Sequence, residues 1–212
     1  MNSVIADFEE KRIDIDILLD HINEVSYSKG SNAHKVAILK SSFILVLYNT
    51  IESTISLILE KVHETASMHN YDELSDKLKL LFVEYYFVGS NGRNHKNNLD
   101  MIIINNVHLP SFSEFGKRVR TFSGNLDARE INIILSKYGI GEIKSKNKDK
   151  LLIVKNLRNK IAHGEVMFKE SCRNYTISDL YQIRDATELA MQDAIANAEH
   201  FIKQTCYLKK CG

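Results

Sequence analysis

An arginine and a histidine near the end of a predicted helix are the residues of this chain best suited to chemistry. They are Arg158 and His163, in the segment 157–165, LRNKIAHGE. Five positions put the two side chains about 140° apart around a helix, so the pair depends on a long arginine side chain swinging towards the last turn. Asn159 and His163 are four positions apart and are direct neighbours. Histidine ordinarily titrates nearest to neutral pH, and a helix C-terminus favours positive charge.

Such a pair suits the cleavage of RNA. The 2′-hydroxyl must lose a proton as it attacks the adjacent phosphorus, and a histidine can accept that proton. Negative charge then builds on the phosphoryl oxygens, and an arginine can hold it with two donors at once. In principle, the pair suffices without a metal ion. On spacing alone, the commoner interpretation is a solvated helix end with an ordinary terminal histidine.

The segments around this pair resemble HEPN domains, and among them the bacterial MAE_28990-like subfamily. The stretch from Arg158 to His163 resembles the HEPN signature of an arginine, a polar residue and, a few positions later, a histidine. Further segments resemble the subfamily in the right order, and the resemblance covers roughly residues 35 to 205. They are 47–54 (LYNTIEST), 122–129 (FSGNLDAR) with 137–140 (KYGI), and 175–180 (YTISDL).

The resemblance implies an all-α HEPN-type helical bundle and a homodimer in which both Arg-x4-His motifs face one shared cleft. It also implies metal-independent endoribonuclease activity, often in toxin–antitoxin, phage-defence or other conflict systems. If the protein is toxic, an antitoxin or a regulatory or defence partner protein is expected to restrain it. Carried over residue by residue, Arg158 stabilises the phosphoryl charge, His163 acts as base or acid, and Asn159 orients the site. The alternative is a non-catalytic HEPN module that binds a nucleotide or a protein, or that only dimerises.

Other residues are weaker candidates. Glu52 resembles a polar position that can face the cleft in such domains, and an ion pair or a surface position explains it equally well. Basic residues that can follow an RNA backbone are Lys117, Arg118, Arg120 and Lys155, although a charge run is usually only a solvated face. A capped turn with salt bridges is the favoured explanation of Asn125, Asp127 and Arg129. No histidine pair has metal-ligand spacing near a carboxylate, so neither a metal nor a cofactor is expected.

The elements that must position these residues are predicted to be helices of a single domain over residues 1–212. One proline, no tryptophan and nine glycines are too little turn punctuation for an all-β chain. Apolar residues recur at helical spacing in about five main helices, with shorter helices at 112–120 and 127–138. Residues 89–112 are expected to form an irregular insertion. The main helices are predicted at 5–25, 34–66, 72–88, 148–163 and 178–206.

Charge and composition limit the partners and the setting. A net charge of +1 gives no global attraction to a polyanion, so RNA binding has to come from local clusters of charge. The N-terminus has no signal-peptide pattern, and the most apolar stretch, 42–51, is about half the length of a membrane span. The three cysteines show no zinc-ligand spacing and favour a reduced setting. A cytoplasmic protein without a membrane partner is expected.

Overall fold

The structure, a computed structural model, describes residues 1–28, 33–88, 92–104, 107–121 and 124–209. In these ranges the protein is all-α, as the sequence predicts, and it has eight α-helices, one 3-10 turn and no strand. The helices are α1 (Asn2–Tyr27), α2 (Ala33–Ala66), α3 (Asp76–Phe87), α4 (Gly92–Ile103), α5 (Phe112–Arg118), α6 (Ala128–Tyr138), α7 (Lys150–Ala162) and α8 (Ile177–Lys203), and the 3-10 turn is Tyr71–Glu73.

The long helix α2 is the centre of the bundle because its middle, residues 43–48, is apolar around the whole circumference. It packs on α1, α7 and α8, and its middle residues, among them Phe43, Ile44 and Ile51, are fully buried. By length and composition α2 could also cross a membrane, since its most apolar 18-residue window has a mean hydropathy of 1.6. That window is longer than the apolar stretch 42–51, but 56% of it is buried inside the bundle. This burial is what the core helix of a soluble protein shows, so the helix is weak evidence for a membrane span.

Several helix ends lie where the sequence places them, because local capping chemistry fixes them. The Asp127 carboxylate accepts hydrogen bonds from the backbone N–H groups of Arg129 and Glu130 and starts α6, which ends at Gly139 with a φ of 83°. Thr176 and Asp179 form a capping box at the start of α8. Helix α3 begins later than predicted: Asp72 lies in the 3-10 turn, and Ser75 is the N-cap.

The prediction of an irregular insertion over 89–112 is wrong in its central part, because α4 is a regular helix there. Its first half contains glycine and asparagine, which favour helices weakly, so the helical period is carried only by a few apolar residues near its end. One of these, Ile102, packs against the hydrophobic core. The Asn98 side-chain amide also donates to the Tyr86 carbonyl at 2.6 Å, which joins α4 to α3. Residues 89–91 and 105–106 lie outside the described ranges.

Two buried side chains of α2, His63 and Tyr48, bind α6 and the chain before it through hydrogen bonds. At one end, the buried ring of His63 lies with Nδ1 at 2.8 Å from the Pro110 carbonyl oxygen and Nε2 at 2.8 Å from the Tyr138 hydroxyl. At the other end, the Leu126 N–H donates to the Tyr48 hydroxyl at 3.1 Å. Tyr48 and His63 are 15 residues apart on one helix, or about 22 Å. The Leu126 contact brings residues 124–127 over the middle of α2.

Candidate catalytic site

Helix α7 and its C-terminal turn carry the Arg-x4-His motif. The buried residues Leu151, Val154 and Leu157 fix one face of α7 on the bundle, and Arg158 and Asn159 are half-buried beside them. His163 is the C-cap residue, and its side chain is exposed.

The turn after His163 is closed by backbone hydrogen bonds. The Gly164 N–H donates to the Ile161 carbonyl at 3.2 Å, and the Glu165 N–H donates to the Lys160 carbonyl at 3.0 Å. This pair of bonds is a Schellman motif, and it needs the φ of +66° that Gly164 adopts without steric cost. The closed turn therefore holds the backbone of His163 in place.

The Arg158 guanidinium is held by its face and by one edge. Its Cζ lies 4.8 Å from the centroid of the Tyr48 ring, and its Nη1 donates to Asn159 Oδ1 at 3.1 Å. The Asn159 amide in turn donates to Asn125 Oδ1 at 2.6 Å. Within the described residues, no carboxylate oxygen lies within 4.0 Å of the guanidinium. The positive charge is therefore oriented but has no direct ion pair.

Tyr48 connects Arg158 to Glu52. The Tyr48 hydroxyl donates to Glu52 Oε1 at 3.2 Å and accepts from the Leu126 N–H. The tyrosine is fully buried, and burial raises its pKa to about 12, against the opposing effects of the Leu126 N–H and of Arg158. The phenol therefore stays neutral at physiological pH and keeps donating to the half-buried Glu52 carboxylate.

Gly124 lies against the two charged groups of this cluster, the Glu52 carboxylate and the Arg158 guanidinium. A Cβ built on this glycine would lie 3.6 Å from Glu52 Oε1 and 3.7 Å from Arg158 Nη2, which is ordinary van der Waals contact. Its φ of +70° lies in the left-handed region, where a side chain is strained. Glu52 and Arg158 thus face the same point of the 124–127 segment, which packs over them.

The structure brings three of the predicted site residues, Arg158, Asn159 and Glu52, into one cluster, with His163 on the last turn of the same helix. In the part of the chain described, the His163 side chain has no hydrogen bond or ion pair, so its ring is accessible. Also within those ranges, no group of three or more histidine, cysteine, aspartate or glutamate side chains is placed to hold a metal ion.

Lys155, a predicted RNA contact, has a structural partner. Its Nζ lies 2.7 Å from Asp127 Oδ2, and both side chains are less than one-fifth exposed. Burial by itself would raise the pKa of Asp127, but Lys155 and the N–H groups of Glu130 and Arg129 outweigh it and lower the pKa. The capped turn with a salt bridge that the sequence favours at Asp127 is thus present.

Two of the other predicted RNA contacts, Lys117 and Arg118, lie on α5, apart from this cluster. Lys117, Arg118 and Arg120 are exposed, and the Arg118 guanidinium lies 4.8 Å from the centroid of the Tyr85 ring. Helix α5 packs through Phe115 on the His63 ring, with ring centroids 5.0 Å apart. Because His63 is about four turns of α2 away from Tyr48, α5 is not part of the Arg158 cluster.

Tyr48 and Gly124 are two residues of the site that the sequence does not point to by itself. The available signal was the spacing of Tyr48 and Glu52, four positions apart on one helix face and inside an otherwise apolar run. An aromatic residue in such a run is usually core, and only the fold shows that its hydroxyl meets Leu126 and that its ring meets Arg158.

Comparison with models of known families gives a match to the MAE_28990-like HEPN family over residues 3–207. The chain belongs to this HEPN family, and HEPN domains are frequently ribonucleases. The resemblance seen in the motifs is therefore confirmed, and the match extends to α1 as well. No curated protein and no solved structure matches the chain.

Proposed function

We propose that this protein is a metal-independent endoribonuclease that cleaves RNA by attack of a 2′-hydroxyl on the adjacent phosphodiester. The observation that carries the proposal is the state of Arg158, on the helix that ends at the exposed His163. Its half-buried guanidinium is stacked on Tyr48 and oriented by Asn159, and it forms no direct ion pair with any residue that the structure describes. A free, oriented guanidinium is suited to two phosphoryl oxygens at once.

In the proposed reaction, His163 accepts the proton of the 2′-hydroxyl as its oxygen bonds to phosphorus. The bond from phosphorus to the 5′-oxygen breaks, and that oxygen takes a proton from a general acid. The products are a 2′,3′-cyclic phosphate and a 5′-hydroxyl. Arg158 stabilises the negative charge on the phosphoryl oxygens. Asn159 is a positioning residue because its side chain accepts a hydrogen bond from the guanidinium. Glu52 is a positioning residue that acts through Tyr48, since it accepts a hydrogen bond from the hydroxyl of the ring on which the guanidinium stacks.

We also propose a homodimer in which the motifs of two copies face one cleft. The family resemblance supports it, and so does the exposed position of His163. In such a cleft the histidine of a second copy is available to protonate the leaving 5′-oxygen. A cytoplasmic toxin or phage-defence effector, restrained by an antitoxin or another partner protein, is the role that the resemblance supports.

The test is incubation of the purified protein with an end-labelled structured RNA in excess EDTA, followed by analysis of the product ends. We expect cleavage that survives chelation and leaves 2′,3′-cyclic phosphate and 5′-hydroxyl ends. Light scattering on the same preparation should give twice the mass of one chain. Products with a 3′-hydroxyl and a 5′-phosphate would contradict the mechanism, and a folded dimer that cleaves no RNA would favour the non-catalytic binding module.

A further inference from the structure

A polar cavity separate from the Arg158 cluster lies beyond the end of α7, where the turns between α7 and α8 pack on the first turns of α2. It is a cavity of about 640 Å³ between these turns, the C-terminal end of α1 and the N-terminal end of α2. The buried Ser41 hydroxyl bonds to the Phe168 carbonyl oxygen at 2.6 Å and to the Ser171 hydroxyl at 2.7 Å. This wall of the cavity is therefore fixed to the bundle.

Three cations line the cavity: Lys40, Lys169 and Arg173. The Lys40 ammonium donates to the Tyr175 carbonyl oxygen at 2.6 Å, which holds its position without neutralising its charge. Among the described residues, neither Lys169 nor Arg173 forms an ion pair. The described lining contains a single carboxylate, Glu170, so the cavity carries a net positive charge.

Apolar and aromatic residues form the rest of the argument for a ligand, because they line the same cavity as the cations. Val36 and Ala37 are buried residues of the lining, and Tyr27, also in the lining, is 79% exposed. Cations that attract phosphate, together with an exposed aromatic residue and apolar lining, are the parts of a site for a nucleotide unit of a single strand. The volume also lies in the range of sites that hold a small ligand.

The cavity is close to the candidate catalytic site along the chain. Lys169 follows His163 by six residues, and even a fully extended chain of that length spans only about 21 Å. We propose that this cavity binds a phosphate-bearing nucleotide unit of the RNA strand whose scissile phosphate lies at Arg158. The strand assignment rests on the proposed function, but the binding itself requires no cleavage.

The first arm of the test measures binding of a labelled 2′-O-methyl oligonucleotide, which has no free 2′-hydroxyl and stays intact. The double variant Lys169→Gln/Arg173→Gln is compared with Lys144→Gln/Lys146→Gln, which removes the same charge from exposed lysines before α7. We expect the first variant to weaken binding about tenfold and to lower the slope of log Kd against log salt by about 1.4, which is two phosphate contacts. The control should stay within about twofold of the wild type.

Equal losses in the two double variants, or no loss in either, would overturn the proposal. A second arm measures binding of a fluorescent ADP. If Lys169→Gln/Arg173→Gln abolishes ADP binding and leaves oligonucleotide binding unchanged, the phosphate comes from a free nucleotide and the strand assignment is wrong. Cleavage of unmodified RNA by the wild type is scored separately, so failure of the proposed function is distinguished from failure of the cavity.

Discussion

Arg158→Ala is expected to lower kcat for RNA cleavage by about 10²–10³-fold, the usual effect of removing one donor to a developing oxyanion. Arg158→Lys should recover little of this loss. A lysine ammonium is a compact point charge, so it cannot offer two parallel donors to a phosphate, and it has no planar group to stack on the Tyr48 ring. The measurement is single-turnover cleavage of an end-labelled RNA in excess chelator.

The matched control for Arg158 is Arg129→Ala, which removes an exposed arginine from the first turn of α6. It should cleave at the wild-type rate. Thermal unfolding of all three variants keeps loss of fold separate from loss of chemistry. Arg158→Ala that is folded and cleaves as fast as the wild type would remove this residue from the mechanism.

The buried His63 is expected to make the protein less stable as the pH falls from about 6.5 to about 4. Burial lowers the pKa of this histidine from 6.5 to about 4, and its bond to the Pro110 carbonyl only partly opposes the effect. Below pH 6.5 the unfolded chain binds a proton at this position that the folded chain refuses. The stabilisation is therefore complete above pH 6.5 and is lost as the pH approaches 4, by roughly 3 kcal/mol in total.

Urea unfolding at pH 7 and at pH 4.5 measures this dependence. His63→Gln should flatten the change in the free energy of unfolding between the two pH values, whereas the exposed His21→Gln should keep the wild-type change. Carboxylates contribute equally to all three proteins, so they cancel in the comparison. An identical pH dependence in His63→Gln and in the wild type would show that another group is responsible.

The elements whose signals are local were predictable from the sequence. An apolar run at helical spacing identifies α2, and Asp127, Gly139 and Gly164 mark helix ends because each supplies a cap or a left-handed residue. Helix α4 was missed because its weak helix formers hide the apolar period, and only packing on α3 reveals it. Local propensity is a weak guide wherever contacts distant in sequence decide the conformation.

The candidate site likewise contains residues that the sequence identifies and residues whose role only the fold reveals. The Arg-x4-His motif and Asn159 are contiguous in sequence and can be identified there, whereas the sequence does not decide whether Glu52 faces the cleft, forms an ion pair or lies at the surface. Glu52 is linked to Arg158 through the Tyr48 ring and past Gly124. These residues lie on α2, on the 124–127 segment and on α7, and only the fold brings the three segments together. Lys155 is a residue for which the sequence predicts a contact with RNA, whereas the fold pairs it with an aspartate, Asp127, 28 positions earlier in the chain.

Chemical rescue of His163→Gly tests the central claim most directly, because an exposed C-cap histidine can be removed without disturbing the core. The variant should cleave RNA at least about 10²-fold more slowly than the wild type, the usual contribution of a general acid or base. Added imidazole should restore part of the rate, and it should not restore Arg158→Ala. Cleavage by His163→Gly at the wild-type rate, without imidazole, would contradict the assignment of proton transfer to His163.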